Sequence, residues 1–139
     1  KQMIFAHVDL IQGVARDKFG IQFLAEELGV DGILTTKGHL IAAAKSNGLL
    51  TIQRLFMLDS EALRTGLRMV ETSKPDAVEI LPALSLPSLA RRIPKGLPPM
   101  IGGGLVETEE ELEAVLRTPA IAVSTSKPEL WKFRRPKSS

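Results

Sequence analysis

The sequence predicts an α/β fold: a parallel (βα)8 TIM-type barrel that lacks its first two βα units and has six strands present. Three observations predict it. Strand-like apolar runs alternate with helical patterns along the whole chain, and their spacing is short and even. Polar residues also stand at alternate positions inside the strands: His7 with Asp9, Thr51 with Gln53, and Glu79 between Val78 and Ile80. Regular alternation means parallel strands joined by right-handed crossovers beneath a helix layer. An open doubly wound sheet, buried on both faces, needs nearly continuous aliphatic strands, whereas a barrel carries polar groups in its inward layers near the mouth.

Met3 to Asp9 reads as the first strand. After the Gln12-Gly13 break, Lys18 to Leu28 reads as a helix with Ile21, Leu24 and Leu28 at helical spacing, and Gly29 ends it in the manner of a C-cap. The cycle repeats as strand Gly32 to Thr36, helix His39 to Ser46 closed by Asn47-Gly48, strand Leu50 to Phe56 and helix Ser60 to Thr72. Asp59 is the natural N-cap of that helix, since its carboxylate can accept from amides two or three residues on. Strand Asp76 to Leu81, short helix Pro87 to Ile93, strand Met100 to Gly102, helix Thr108 to Arg117 and strand Ala120 to Ser124 complete the series. A full barrel has eight strands and about 250 residues. The two units not seen are expected to precede Lys1, because the chain starts within a strand and finishes with a tail.

At 139 residues, with 44% hydrophobic and 24% charged content, the chain has room for one core. Residues 1–131 form that domain, and the basic segment 132–139 is expected to be a disordered tail. No apolar run reaches the roughly 18 residues that cross a bilayer, and Asp9 arrives too early for a signal peptide. A cytoplasmic location without a membrane partner is expected. The absence of cysteine excludes disulfides and thiolate metal sites, and two histidines, His7 and His39, exclude a multi-histidine site. No metal is expected.

With two strands missing, the strands closed by Ile101-Gly102-Gly103-Gly104-Leu105 and by Ser124-Thr125-Ser126 are the seventh and eighth of the barrel. The loops there commonly hold a phosphate on glycine amides and hydroxyls. Gly102, Gly103, Gly104, Ser124, Thr125 and Ser126 are therefore the candidate phosphate site. Other strand ends should reach the same mouth. Lys37 and Arg54 can add positive charge, while Asp9, Gln53 and Glu79 can bond the hydroxyls of a ligand. Arg54 and Glu79 can equally pair with each other. Asp9 with Glu79 can also be read as an acid/base couple, the basis of an alternative reading as a phosphosugar enzyme of the isomerase or aldolase type.

The segments His7-Val8-Asp9-Leu10-Ile11-Gln12-Gly13, Asp31-Gly32-Ile33-Leu34-Thr35-Thr36, Ile52-Gln53-Arg54-Leu55-Phe56, Val78-Glu79-Ile80-Leu81-Pro82, Gly102-Gly103-Gly104 and Ser124-Thr125-Ser126-Lys127-Pro128-Glu129-Leu130-Trp131 resemble the glycerol-3-phosphate-responsive antiterminator family of bacteria. The resemblance runs from Phe5 to Trp131, and family members carry further N-terminal residues that hold the first two strands. It implies a regulator without catalytic residues or a cofactor. Glycerol 3-phosphate is then the effector. Once bound, it enables capture of the leader mRNA of a glycerol-catabolism operon and prevents premature termination.

No aromatic-rich platform marks an RNA surface, and Trp131 is expected to pack against the barrel. The electrostatic candidates are Arg91, Arg92 and Lys95 near the short helix, with Lys132, Arg134 and Arg135 in the tail. If the first two units are absent from the protein itself, the unpaired edges invite a homo-oligomer.

Overall fold

The computed structural model describes residues 2–135 and consists of alternating strands and helices. The strands are β1 (Phe5–His7), β2 (Gly32–Thr35), β3 (Leu50–Phe56), β4 (Ala77–Leu81), β5 (Met100–Gly103) and β6 (Ala122–Ser124). They form one parallel sheet in chain order, with β1 and β6 as its edges. The register sets Thr35 beside Gln53, Arg54 beside Glu79, and Gly103 beside Ser124. Polar ends of successive strands therefore meet at one end of the sheet.

The helices are α1 (Lys18–Glu26), α2 (Gly38–Ser46), α3 (Ser60–Ser73), α4 (Leu86–Leu89) and α5 (Glu109–Leu116). Asp17 caps α1 by accepting from the amides of Phe19 and Gly20, and Asp59 caps α3 through Ala62. Thr108 and Glu111 form a reciprocal capping box on α5. Each cap satisfies amides that have no partner within the helix, which is why these helices start where they do.

The core lies between sheet and helices in two clusters. One gathers Val8, Ile21, Leu24, Ile33 and Leu40 under α1 and α2, and the other gathers Leu55, Val78, Ile80, Leu86, Leu112 and Val115 under α3 to α5. Burying each such aliphatic side chain contributes about 1.5–3 kcal/mol. Strand alternation decides which residues take part. In β3, Thr51, Gln53 and Leu55 are buried against the helices, while Leu50 and Phe56, on the other face of the sheet, are 40% and 51% exposed.

Most element boundaries differ from expectation by a residue or two, and the following differences affect the site or the packing. The first strand stops at His7, because Val8–Leu10 turns into a 3-10 helix. α1 ends at Glu26, leaving Leu28 exposed ahead of the left-handed Gly29, φ 62°. The short fourth helix is a single turn, Leu86–Leu89, after a 3-10 turn at Ala83–Ser85. β5 continues to Gly103, paired with Ser124. At the other end a 3-10 helix spans Pro128–Lys132, and Phe133 packs against the core beyond residue 131. Arg134 and Arg135 are exposed, and the rest of the expected tail lies outside the described residues. Among the described residues no helix is long and apolar enough to cross a membrane.

Candidate ligand site at the strand ends

A cavity of about 350 Å³ opens at the ends of β3 to β6, lined by Arg54, Glu79, Leu81, the loop Gly104–Glu107 and the segment Ser124–Lys127. Two backbone turns build it. After β5, Gly104 and Leu105 both take left-handed conformations, φ 83° and 63°, a geometry that glycine adopts without strain. After β6, the Thr125 hydroxyl donates to the Val106 carbonyl and accepts from the Lys127 amide. The Trp131 indole N–H donates to the Thr125 carbonyl from outside, at 2.8 Å. These bonds fasten the two turns together.

What remains faces an incoming group. The Gly104 amide faces the Ser124 carbonyl at the end of the parallel ladder; among the described residues no acceptor is found for the amides of Leu105, Thr125 and Ser126. Unpaired amides beside a cavity are donors available to an anion. The Ser124 and Ser126 side chains line the same space, and Lys127 adds a cation to it.

Arg54 and Glu79 form the polar floor, and His7 backs Arg54. Arg54 Nε is 3.2 Å from Glu79 Oε1, and Arg54 Nη1 donates to His7 Nε2 at 2.9 Å. Accepting that bond requires an unprotonated Nε2. Burial and the neighbouring Arg54 guanidinium hold the His7 pKa below its ordinary value, against the opposing pull of Asp9 and Glu79. Glu79 is 4% exposed, and its carboxylate lies against the Gly103 backbone: a Cβ at position 103 would come within 2.6 Å of Oε1. Gly103 is thus required by close approach.

The expected site residues separate into groups. Arg54, Glu79, Gly104, Ser124, Thr125 and Ser126 share the cavity, with Gly103 behind Glu79. Gly102 faces the opposite way, where a Cβ would strike Val115, Leu86 and Ala83, so it admits helices rather than a ligand. Gln53 does not reach the mouth. It is fully buried on the helix side, and its Oε1 accepts from the Ser73 hydroxyl. The reason is strand alternation: neighbours Gln53 and Arg54 cannot face the same side.

Asp9 is also committed elsewhere. Its carboxylate accepts from Thr35 Oγ1 at 2.7 Å, the Thr36 amide at 2.8 Å and Thr36 Oγ1 at 2.9 Å, pinning the end of β1 to the end of β2. Burial pushes its pKa up, but these bonds and the nearby Lys37 charge outweigh that, and the net shift is downward. Lys37 itself is exposed at the N-cap of α2. Lys127 lines the cavity but was absent from the expected site, although it directly follows the Ser-Thr-Ser triplet; His7 backs Arg54 without lining the cavity. Arg91, Arg92 and Lys95 are exposed between α4 and β5, away from this cavity. Among the described residues no cluster of three or more His, Cys, Asp or Glu residues is placed to hold a metal.

Residues 1–131 match the family described as glycerol-3-phosphate responsive antiterminator. The chain belongs to that family. Among solved structures, this antiterminator-family chain is similar to the glycerol uptake operon antiterminator regulatory protein of Listeria monocytogenes str. 4b F2365, with 39% identity and a TM-score of 0.87, covering 96% of this chain and 72% of that one. It is also similar to a glycerol uptake operon antiterminator-related protein of Thermotoga maritima MSB8, at 39% identity and TM-score 0.84, covering 95% of this chain and 74% of that one. N-acetylneuraminate lyase of Mycoplasma synoviae shares the fold alone, at 13% identity and TM-score 0.63 over 93% of this chain and 56% of that one. The six parallel strands and their helices are thus a partial (βα) barrel.

Proposed function

We propose that this chain binds glycerol 3-phosphate in the strand-end cavity and, in the bound state, engages a leader mRNA to prevent premature termination, acting as a sensor rather than a catalyst. The observation that carries the reading is the set of unpaired amides on two adjoining turns, beside serine hydroxyls and Lys127, in a chain of a glycerol-3-phosphate-responsive family. The phosphate takes the amides of Leu105, Thr125 and Ser126 beside the bare Gly104 backbone, with Lys127 opposing its charge. The two alcohols point toward Glu79 and Arg54, where an acceptor and a donor stand together.

The polar floor favours sensing over catalysis. An isomerase or aldolase needs a base or nucleophile free to reach substrate carbon. Here Glu79 is held by Arg54, His7 Nε2 accepts from the same guanidinium, and the Asp9 carboxylate is occupied by threonines. Calorimetric titration with glycerol 3-phosphate tests the reading, with Trp131, the single tryptophan, reporting on the Thr125 loop by fluorescence. The expected result is saturable binding, weakened roughly tenfold by Lys127→Ala through loss of one charge-assisted contact, with the ligand recovered unchanged. No binding at millimolar ligand, or turnover of the ligand, refutes it.

A further inference from the structure

Beyond α4 the chain needs Ala90 to Pro99 to reach β5, and this segment is unlike the rest of the surface. From Ile80 to Val106 the only charged residues are Arg91, Arg92 and Lys95, with no acid in the whole stretch. All three are exposed, and none is among the ion pairs found in the described residues. The segment is stiffened by Pro94, Pro98 and Pro99, whose φ is restricted. With Pro119 from the loop before β6, these prolines wall a groove of about 490 Å³ that Arg91 and Lys95 also line. That volume lies within the range of about 300–1,000 Å³ that accommodates a small organic group.

We propose that this groove is where RNA is held, taking one unstacked nucleotide with its base against the proline wall and its flanking phosphates on Arg91 and Lys95. The assignment rests on the antiterminator reading for the nature of the partner, and on charge and shape for the place. A polyanion is favoured where unpaired cations stand with no acid among them. An unstacked base needs an apolar face and can also stack on a guanidinium plane, so the shortage of aromatic residues does not prevent its capture. The groove belongs to the end of the sheet where strands begin, opposite the ligand cavity. β5 joins the two: Met100 lines the groove, and four residues on, about 13 Å along an extended strand, Gly104 lines the cavity. Ligand and RNA therefore occupy the two ends of a single strand without competing for space.

The test uses the full chain and a short single-stranded RNA pool of random sequence containing 4-thiouridine, with glycerol 3-phosphate at millimolar concentration and again without it. Binding is followed by anisotropy, and photocrosslinked peptides are mapped. Crosslinks within Ala90–Pro99 are expected, together with roughly tenfold or greater weakening by the double variant Arg91→Glu, Lys95→Glu and a shallower salt dependence. The double variant Arg64→Glu, Arg68→Glu, on exposed positions of α3, makes the same charge change elsewhere and should bind as the parent does. Melting and ligand titration of both variants establish that each is folded. Crosslinks elsewhere with undiminished binding by the Arg91, Lys95 variant overturn the groove and leave the RNA reading standing. Equal weakening by both double variants overturns it in favour of diffuse attraction. No RNA binding by the parent chain, with or without ligand, overturns the RNA reading and the groove with it.

Discussion

Gly103→Ala is the substitution from which the packing of the site can be measured. The added methyl would stand 2.6 Å from Glu79 Oε1 and 2.8 Å from Cδ, where ordinary contact begins at 3.4 Å, so the carboxylate must retreat by about 0.8 Å (3.4 − 2.6). Glu79 is not free to do so cheaply, since it is 4% exposed and its Oε1 is the atom paired with Arg54. Retreat along the pair direction lengthens 3.2 Å to about 4.0 Å. At an effective dielectric of about 20 the attraction falls from about 5.2 to about 4.2 kcal/mol. Loss of the charge-assisted hydrogen bond adds about 1.5 kcal/mol. The total is about 2–3 kcal/mol, or a fall of roughly 4–12 °C in Tm for a chain of this size. Denaturation of the four members of a Gly103→Ala and Glu79→Ala cycle is the assay. With Glu79 truncated the clash vanishes, so Gly103→Ala should become nearly neutral and the cycle should show about 2 kcal/mol of coupling. An equal cost in both backgrounds refutes the argument.

Two further outcomes follow from the polar groups. Asp9→Ala should cost about 2–4 kcal/mol of stability by releasing the three donors of Thr35 and Thr36, while glycerol 3-phosphate affinity in the folded variant changes less than threefold; a large affinity loss at unchanged Tm contradicts its bracing role. His7 has a folded pKa below its ordinary 6.5, so the unfolded chain takes up the proton first on acidification. Its contribution is present above about pH 6.5 and is lost as pH falls through that value toward the folded pKa. The same fall protonates Nε2 and breaks its bond from Arg54. Chemical denaturation at pH 7.5 and 5 should show this loss, and His7→Gln should reduce it; an unchanged pH dependence in that variant removes His7 as the cause.

Much of this arrangement was legible in one dimension. Alternating periods of two and about 3.6 residues declare strands and helices, and Asp59 marks a helix start because a cap acts within three residues of itself. Six parallel strands with two hydroxyl- and glycine-bearing ends followed from local chemistry of that kind. Tertiary structure decided what each polar side chain does. It turned Gly102 to the helices and Gly103 to Glu79, separated Gln53 from Arg54 by one step of the pleat, tied up Asp9 on residues far along the chain, and drew Lys127 into the cavity. The physical reason is that a strand residue's side follows from the phase of the pleat, and a polar group's availability follows from partners that are near in space and distant in sequence.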